Sequence, residues 1–245
     1  MPTETPFLSL ILPAHNEEQR LPDTLAAVLS FAQSQPYPCE VVIVENGSSD
    51  RTREIARAFA AEHPVTNLLC LDLPGKGRAV QAGMLAARGQ YRFICDVDLS
   101  MPLSEIPRFL PPLLEGVDIA IASREAPGAV RYGEPHYRHL VGRVFNNLVR
   151  LVALPRLQDT QCGFKCFTAA AAETLFPLQT ITGWTFDVEI LAIAFKLGLH
   201  IEEVPIPWYY HGNSKVKVLR DSARMALDLF TIRRNLRRGT YARPR

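Results

Sequence analysis

No stretch of this chain is apolar for long enough to cross a membrane as a helix, which takes about 20 residues, and no secretory leader pattern opens it. These two absences predict a cytoplasmic protein. Cysteine is scarce and odd in number, five in 245 residues. That count argues against a disulfide framework, and Cys162 and Cys166 lack a second ligand pair at zinc spacing. Buried, reduced thiols are expected instead. Internal repeats, low-complexity tracts and linkers are also lacking. Neither sign of charge dominates: 27 Lys and Arg stand against 25 Asp and Glu, a net of +2. The charge is unevenly spread, however. From residue 215 onward there are ten Lys/Arg and two Asp, so that segment is +8 and residues 1–214 are −6. Such a tail suits an anionic partner. It holds one aromatic after Phe230, namely Tyr241, and no stacking pattern, which speaks against nucleic acid.

What is present is an alternation. At 47% hydrophobic and 21% charged residues, the chain can bury the core of one large α/β domain. Apolar runs at 7–12, 40–44, 67–71, 91–95 and 118–122 read as strands, and the segments ending near 33, 61, 87 and 114 as helices. Pro22 suits a first helical turn, and Ser48 or Ser49 can cap the second helix. Pro107, Pro111 and Pro112 perturb the fourth. This order predicts a mostly parallel sheet with right-handed crossovers. The second half is less regular. It reads as a polar loop at 123–135, then a helix at 136–153 whose Leu140, Val144, Leu148 and Leu151 fall near one face. A turn and short strand at 157–167 and helices at 169–175 and 186–197 follow. An edge strand at 201–210, interrupted by Pro205 and Pro207, precedes a long last helix at 216–238.

The chain is organised around residues 91–102, YRFICDVDLSMP. A short apolar strand ends there in Asp96 and Asp98. At the carboxyl end of a parallel strand such side chains face the crevice where open α/β sheets bind ligands. At i, i+2 both carboxylates can approach one hard divalent cation, with a nucleotide's diphosphate supplying further oxygens. An ordinary turn after a strand would also use Asp. Two more polar stretches, residues 13–17 and 45–50, follow predicted strands and should converge on the same crevice.

The blocks PAHNEE, VIVENGSSDRT, GKGRAVQAGM and DVDLSMP, in that order, resemble family 2 glycosyltransferases with the nucleotide-sugar-binding GT-A fold, a mostly parallel Rossmann-like sheet with helices on both faces. DTQCGFKCF, GWTFDVEIL and NSKVKVLRDSARMALDLFTIR narrow the resemblance to the dolichyl-phosphate and polyprenyl-phosphate sugar transferases, and Trp184–Asp187 to their glucosyl branch. One block departs: the family's Asp-Asp-Gly-Ser is here Glu45-Asn46-Gly47-Ser48.

The resemblance implies roles. Asp96, Asp98 and Ser100 would hold Mg²⁺ or Mn²⁺. Pro13, Ala14, Asn16, Glu17, Glu45, Ser48, Lys76 and Val97 would bind the nucleotide sugar, UDP-glucose before GDP-mannose. Arg124, Arg131, Arg138 and Lys215 would hold an acceptor phosphate, as forked guanidinium groups suit phosphate oxygens. Asp159, Gln161, Gly163, Trp184, Asp187 and Glu189 would border the sugar. The bland readings are helix capping for Asn16 and Glu17, plain loop surface for Arg131, and dipole-favourable acids for Asp187 and Glu189. Cys162 reads as a packed small residue rather than a nucleophile.

A phosphate-monoester acceptor carries close to two charges at neutral pH and needs little or no base. Asp187 is therefore expected to position a sugar or an arginine. In a relative acting on a sugar hydroxyl it would be the general base. Residues 1–214 are expected to form the catalytic domain. In 215–245, Val218, Ser222, Met225, Leu229, Ile232 and Leu236 make an apolar stripe beside basic residues, suited either to an anionic membrane surface or to core packing. A nucleotidyltransferase would open with a Gly-rich, Arg-bearing loop, which residues 13–18 are not. A non-catalytic nucleotide-sugar sensor would not need the aspartate pair and the arginine set.

Overall fold

The computed structural model describes residues 5–212 and 218–241, apart from the side chains of 218–223. The first half alternates β1 (Leu8–Ala14), α1 (Leu21–Ser34), β2 (Cys39–Asn46), α2 (Thr52–Glu62), β3 (Thr66–Leu71), α3 (Lys76–Ala86), β4 (Tyr91–Ile94) and β5 (Ile119–Ser123). The second half adds β6 (Val130–Tyr132), α4 (His136–Val152), β7 (Lys165–Thr168), α5 (Ala169–Leu175), α6 (Phe186–Lys196), β8 (Ile201–Pro205), β9 (Pro207–Tyr209) and α7 (Val218–Arg238). The helix expected up to residue 114 is instead a 3-10 segment, Leu103–Phe109. Pro107, Pro111 and Pro112 lack the amide donors that a regular α-helix needs.

Seven strands form the main sheet in the order β3-β2-β1-β4-β7-β5-β8. Every neighbouring pair is parallel except those of β7, which runs antiparallel to both β4 and β5. A strand from the second half of the chain is thus wedged into the middle of the sheet. The expected strand at 201–210 is really two. β8 closes the sheet edge beside β5, and β9 leaves it to pair with β6, which sits in the segment expected to be only a loop.

Both faces of the sheet's middle are covered, so β1, β2 and β5 are mostly apolar and buried rather than alternating with exposed polar residues. Side chains still alternate in direction. Leu10, Leu12, Val41, Ile43 and Phe93 join one core layer, whereas Ile11, Val42, Val44 and Ile94 join the other. α3 lies very close to the sheet: a Cβ at Gly83 would come within 2.5 Å of Ile11 Cγ2. The expected apolar stripe of α7 points inward. Met225, Leu229 and Ile232 are buried, Leu236 is partly so, and Tyr241 beyond the helix is fully buried. Core packing therefore accounts for the described part of that stripe.

α4 behaves in the opposite way. Val149 and Asn146 face the core, but Leu140, Val144 and Leu151, which periodicity puts near one face, are 66%, 64% and 83% exposed. With Tyr137 and Val141, also exposed, they form one stripe along the outer side of the helix.

Candidate active site

The carboxyl ends of β1 and β4 open on a cleft of about 360 Å³. Asp96 and Asp98 follow β4 directly. The turn between them is fixed from several sides. Leu99 takes a left-handed conformation, φ 45°, which costs a non-glycine residue about 1 kcal/mol. The Leu99 N–H donates to Asp96 O at 3.1 Å and the Tyr209 N–H to Ser100 O at 2.8 Å. Thr24 Oγ1 donates to Val97 O at 2.6 Å, and the Ser100 N–H to Asp98 Oδ1 at 3.0 Å. Burial, and then the charge of Asp96, push the Asp98 pKa up.

Asp96 is ion-paired with Lys76 at the start of α3. The helix's own first amides are already used: the Gly77 and Arg78 N–H groups donate to Gly183 O and Thr182 O at 3.2 and 3.3 Å. The cleft is therefore offered the lysine ammonium rather than a bare helix end. Behind Asp96 stands Gly163, whose missing side chain is essential, since a Cβ there would overlap the Asp96 carboxylate. What comes close to this glycine is the protein's own aspartate.

Pro13, Glu17, Lys76, Asp96, Val97, Asp98, Ser100, Arg124, Arg138, Gln161, Gly163, Trp184 and Asp187 all line the cleft. Ala14, Asn16, Glu45, Ser48, Arg131, Asp159 and Glu189 do not, and Lys215 lies outside the described residues. Glu45 is fully buried, accepts from the Ser48 N–H at 2.6 Å and pairs with Arg53 at 2.5 Å. Burial alone would raise its pKa, but Ser48 and Arg53 outweigh that and lower it. It faces inward as arranged here, not toward a base. Asn16, in a left-handed conformation at φ 52°, takes the Ser49 N–H at 2.8 Å and gives its own N–H to Ser48 Oγ at 3.0 Å. It laces the loops after β1 and β2 together and caps no helix. Asp50, not a serine, accepts from the Thr52 N–H at the start of α2.

Three arginines gather at the other end. Arg124 forks onto Asp159, Nε to Oδ2 at 2.6 Å and Nη2 to Oδ1 at 2.9 Å. Asp159 is thus buried beneath an arginine instead of bordering the sugar. Arg131 is held between Glu125 and Glu134, at 2.6 Å each. Arg138 donates to Tyr210 Oη at 2.9 Å and has no carboxylate partner among the described residues. Trp208 lies under Arg124 and Arg131, with ring centroids 5.4 and 5.8 Å from the guanidinium carbons.

Asp187 sits in the first turn of α6 with its Oδ1 2.8 Å from Lys165 Nζ. Burial pushes its pKa up, against the pull of Lys165 and Lys76. Glu189, two residues on, points away from the cleft into the core. Its carboxylate takes the Thr180 and Ile181 N–H groups at 3.0 and 2.8 Å and the Tyr241 hydroxyl at 2.8 Å. Burial pushes the Cys162 thiol up to about 11, which fits a packing role. Arg20, Glu134, Tyr137, Phe145, Trp208, Tyr210 and His211 also line the cleft without having been singled out. The aromatic run at 208–210 directly after Pro207 was the one sequence signal for any of them.

A mostly parallel sheet ending in an Asp-x-Asp turn, with a lysine and an arginine cluster around one cleft, is the architecture of GT-A nucleotide-sugar transferases. Glucosyl-3-phosphoglycerate synthase from Mycobacterium tuberculosis, solved with Mn²⁺, UDP and glucosyl-3-phosphoglycerate, has the same fold: TM-score 0.68 at 21% identity, over 93% of this chain and 80% of that one. Residues 9–176 match the family described as glycosyl transferase family 2, and the chain belongs to that family. It is 33% identical to a dolichyl-phosphate beta-glucosyltransferase of Trichomonas vaginalis, covering 92% of this chain and 72% of that protein. It is 35% identical to the dolichyl-phosphate beta-glucosyltransferase of Drosophila melanogaster, covering 92% and 74%. The match to glycosyltransferase AglD of Haloferax volcanii, at 33% identity, covers 91% of this chain and 36% of that protein.

Proposed function

We propose that the chain transfers glucose from UDP-glucose to a dolichyl or other polyprenyl phosphate, with inversion, at the cytoplasmic face of a membrane. The observation that carries this reading is Arg138. Of the three arginines at the acceptor end it alone has no carboxylate partner among the described residues, and it faces the cleft that Asp96 and Asp98 share.

The donor set fits a divalent cation. Asp98, Asp96 and the Ser100 hydroxyl are hard oxygen donors, and the described residues hold no third carboxylate, histidine or thiol that would complete a closed protein cage. Positions are left for diphosphate oxygens. When bound, Mg²⁺ or Mn²⁺ supplies positive charge for the departing diphosphate. Lys76, paired with Asp96, adds to that charge. Arg138, with the free side of the Arg124 fork, orients the acceptor phosphate. One phosphate oxygen then forms the bond to the anomeric carbon as the carbon–oxygen bond to the nucleotide breaks, and the electron pair leaves with the diphosphate. The acceptor is already ionised at neutral pH, so no side chain has to take its proton. Asp187 orients the sugar.

The outer stripe of α4 supports the membrane part of the reading. It runs from the mouth of the cleft, where Tyr137 and Val141 line it, along Leu140, Val144 and Leu151, with Arg143 and Arg150 beside it. An exposed apolar face edged by cations suits an anionic lipid surface. No described helix is long and apolar enough to cross a membrane. The five free cysteines suit a reducing compartment.

The test is turnover with a polyprenyl phosphate and Mg²⁺ or Mn²⁺, offering UDP-glucose and GDP-mannose in parallel. Lipid-linked glucose from UDP-glucose alone is expected. Arg138→Ala should weaken acceptor use by about 30-fold, the equivalent of ~2 kcal/mol. Transfer from GDP-mannose alone would move the assignment to a mannosyltransferase. Transfer only to a sugar hydroxyl, abolished by Asp187→Asn, would make Asp187 a general base.

A further inference from the structure

Lysine is among the residues least often buried whole, yet Lys165 is 1% exposed in the middle of the sheet. It opens β7, the antiparallel strand, and stands in register with Ile94 of β4 and Ile121 of β5. Ile94 lies two residues before Asp96. Placing an ammonium there costs several kcal/mol of lost hydration, and an apolar side chain of similar length would fill the space without that cost. Its contacts show what the charge does. Lys165 Nζ is 2.8 Å from Asp187 Oδ1 and also donates to the Cys162 carbonyl. The residue after Cys162 is Gly163, the surface on which Asp96 rests.

The two cleft-lining carboxylates on either side of this region are thus each held by one lysine from a different element. Lys76 of α3 holds Asp96, and Lys165 of β7 holds Asp187. Asp187 Oδ1 is occupied by Lys165, and Oδ2 accepts no hydrogen bond from the described residues. A carboxylate clamped by one oxygen and open at the other, on the wall of a cleft, is a fixed acceptor for a hydroxyl.

We propose that Lys165 is a positioning residue for the donor sugar: through Asp187 it aims one carboxylate oxygen at a sugar hydroxyl, and its bond to the Cys162 carbonyl anchors the ammonium that does so. The proposal rests on the nucleotide-sugar reading above. It separates Lys165 from a mere filler of the core, because its effect belongs to the sugar and not to the nucleotide.

The experiment is calorimetric binding of UDP and of UDP-glucose, each with Mn²⁺, to the full chain and its variants. Lys165→Met should bind UDP as the parent does, yet lose about tenfold in UDP-glucose affinity. Lys165→Arg, which keeps a charged donor, should recover most of that loss. In an Asp187→Asn background, Lys165→Met should add less than about twofold, because the two residues act as one unit. Where the Met variant does not fold, Lys165→Gln, which retains a donor for the Cys162 carbonyl, gives the same reading. Equal weakening of UDP and UDP-glucose, or full additivity with Asp187→Asn, would overturn the role of Lys165 while leaving the transferase reading intact. A parent chain that binds neither ligand would overturn both.

Discussion

A single missing side chain sets the position of Asp96. Gly163→Ala would place a methyl group where the carboxylate lies, so the aspartate or the 162–164 turn must move. Overpacking of this kind costs about 1–3 kcal/mol, but a displaced carboxylate costs more in rate, about 100-fold. The variant is expected to fold, with kcat/KM reduced far beyond its change in thermal midpoint. The Arg124–Asp159 pair makes a different prediction. Burial pushes the Asp159 carboxyl up, but Arg124 outweighs it and brings it to about 2 from 3.8. A depressed carboxyl contributes stability above its unfolded value and loses it as pH falls toward the folded one. The pair should therefore contribute about 2 kcal/mol at neutral pH, lost between about pH 4 and pH 2. Urea unfolding of the parent and of Asp159→Asn should differ by a constant amount above about pH 5 and converge in that acid window. A difference that persists at the acid end would contradict it. At this scale the sequence was half legible. Asp96, Asp98, Lys76 and Arg138 could be placed because each follows a strand or opens a helix. Glu45, Asp159 and Glu189 could not, because a carboxylate facing an arginine, a backbone turn or a tyrosine looks the same in one dimension as one facing a ligand.

Elements were easier to read than their faces. The strand–helix alternation of the first half was plain, since strands covered on both sides leave continuous apolar runs. The antiparallel sense of β7 left no trace: four residues between β4 and β5 carry no signal of direction. Nor did periodicity say which apolar stripe faces inward. α4 and α7 both carry one, and the core takes the stripe of α7 while leaving much of that of α4 outside. α7 is fastened at its end by Tyr241, whose hydroxyl donates to buried Glu189 and accepts from Asn235 Nδ2 at 3.2 Å. Tyr241→Phe removes one partner of a buried carboxylate. It should cost about 1 kcal/mol and lower the thermal midpoint by about 2–4 °C, with UDP affinity unchanged. An unaltered midpoint would show that the clamp contributes nothing.

At the scale of the whole molecule, the cleft and the outer stripe of α4 lie on one side, joined through Tyr137 and Val141. Leu140→Ser combined with Val144→Ser should lower binding to vesicles containing anionic lipid by about 100-fold, given ~1.5–3 kcal/mol for each apolar side chain withdrawn from water. Turnover on a short, water-soluble polyprenyl phosphate should be unaffected. Equal loss on both acceptors would assign α4 to the cleft alone.

The wedged strand also has a consequence in time. β1, β2, β3 and β4 pair among themselves, but β5 pairs only with β7 and β8. As the chain leaves the ribosome, β5 must wait without a neighbour, and β4 keeps an open edge, until residues far downstream have been made. Open edges of that kind are where nascent chains pair wrongly. The same late strand brings the lysine and, just before it, the glycine turn that hold Asp187 and Asp96. The cleft is therefore among the last parts of the molecule to take shape, and a stalled or truncated chain that ends before residue 162 would carry Asp96 and Asp98 without the glycine turn against which Asp96 rests.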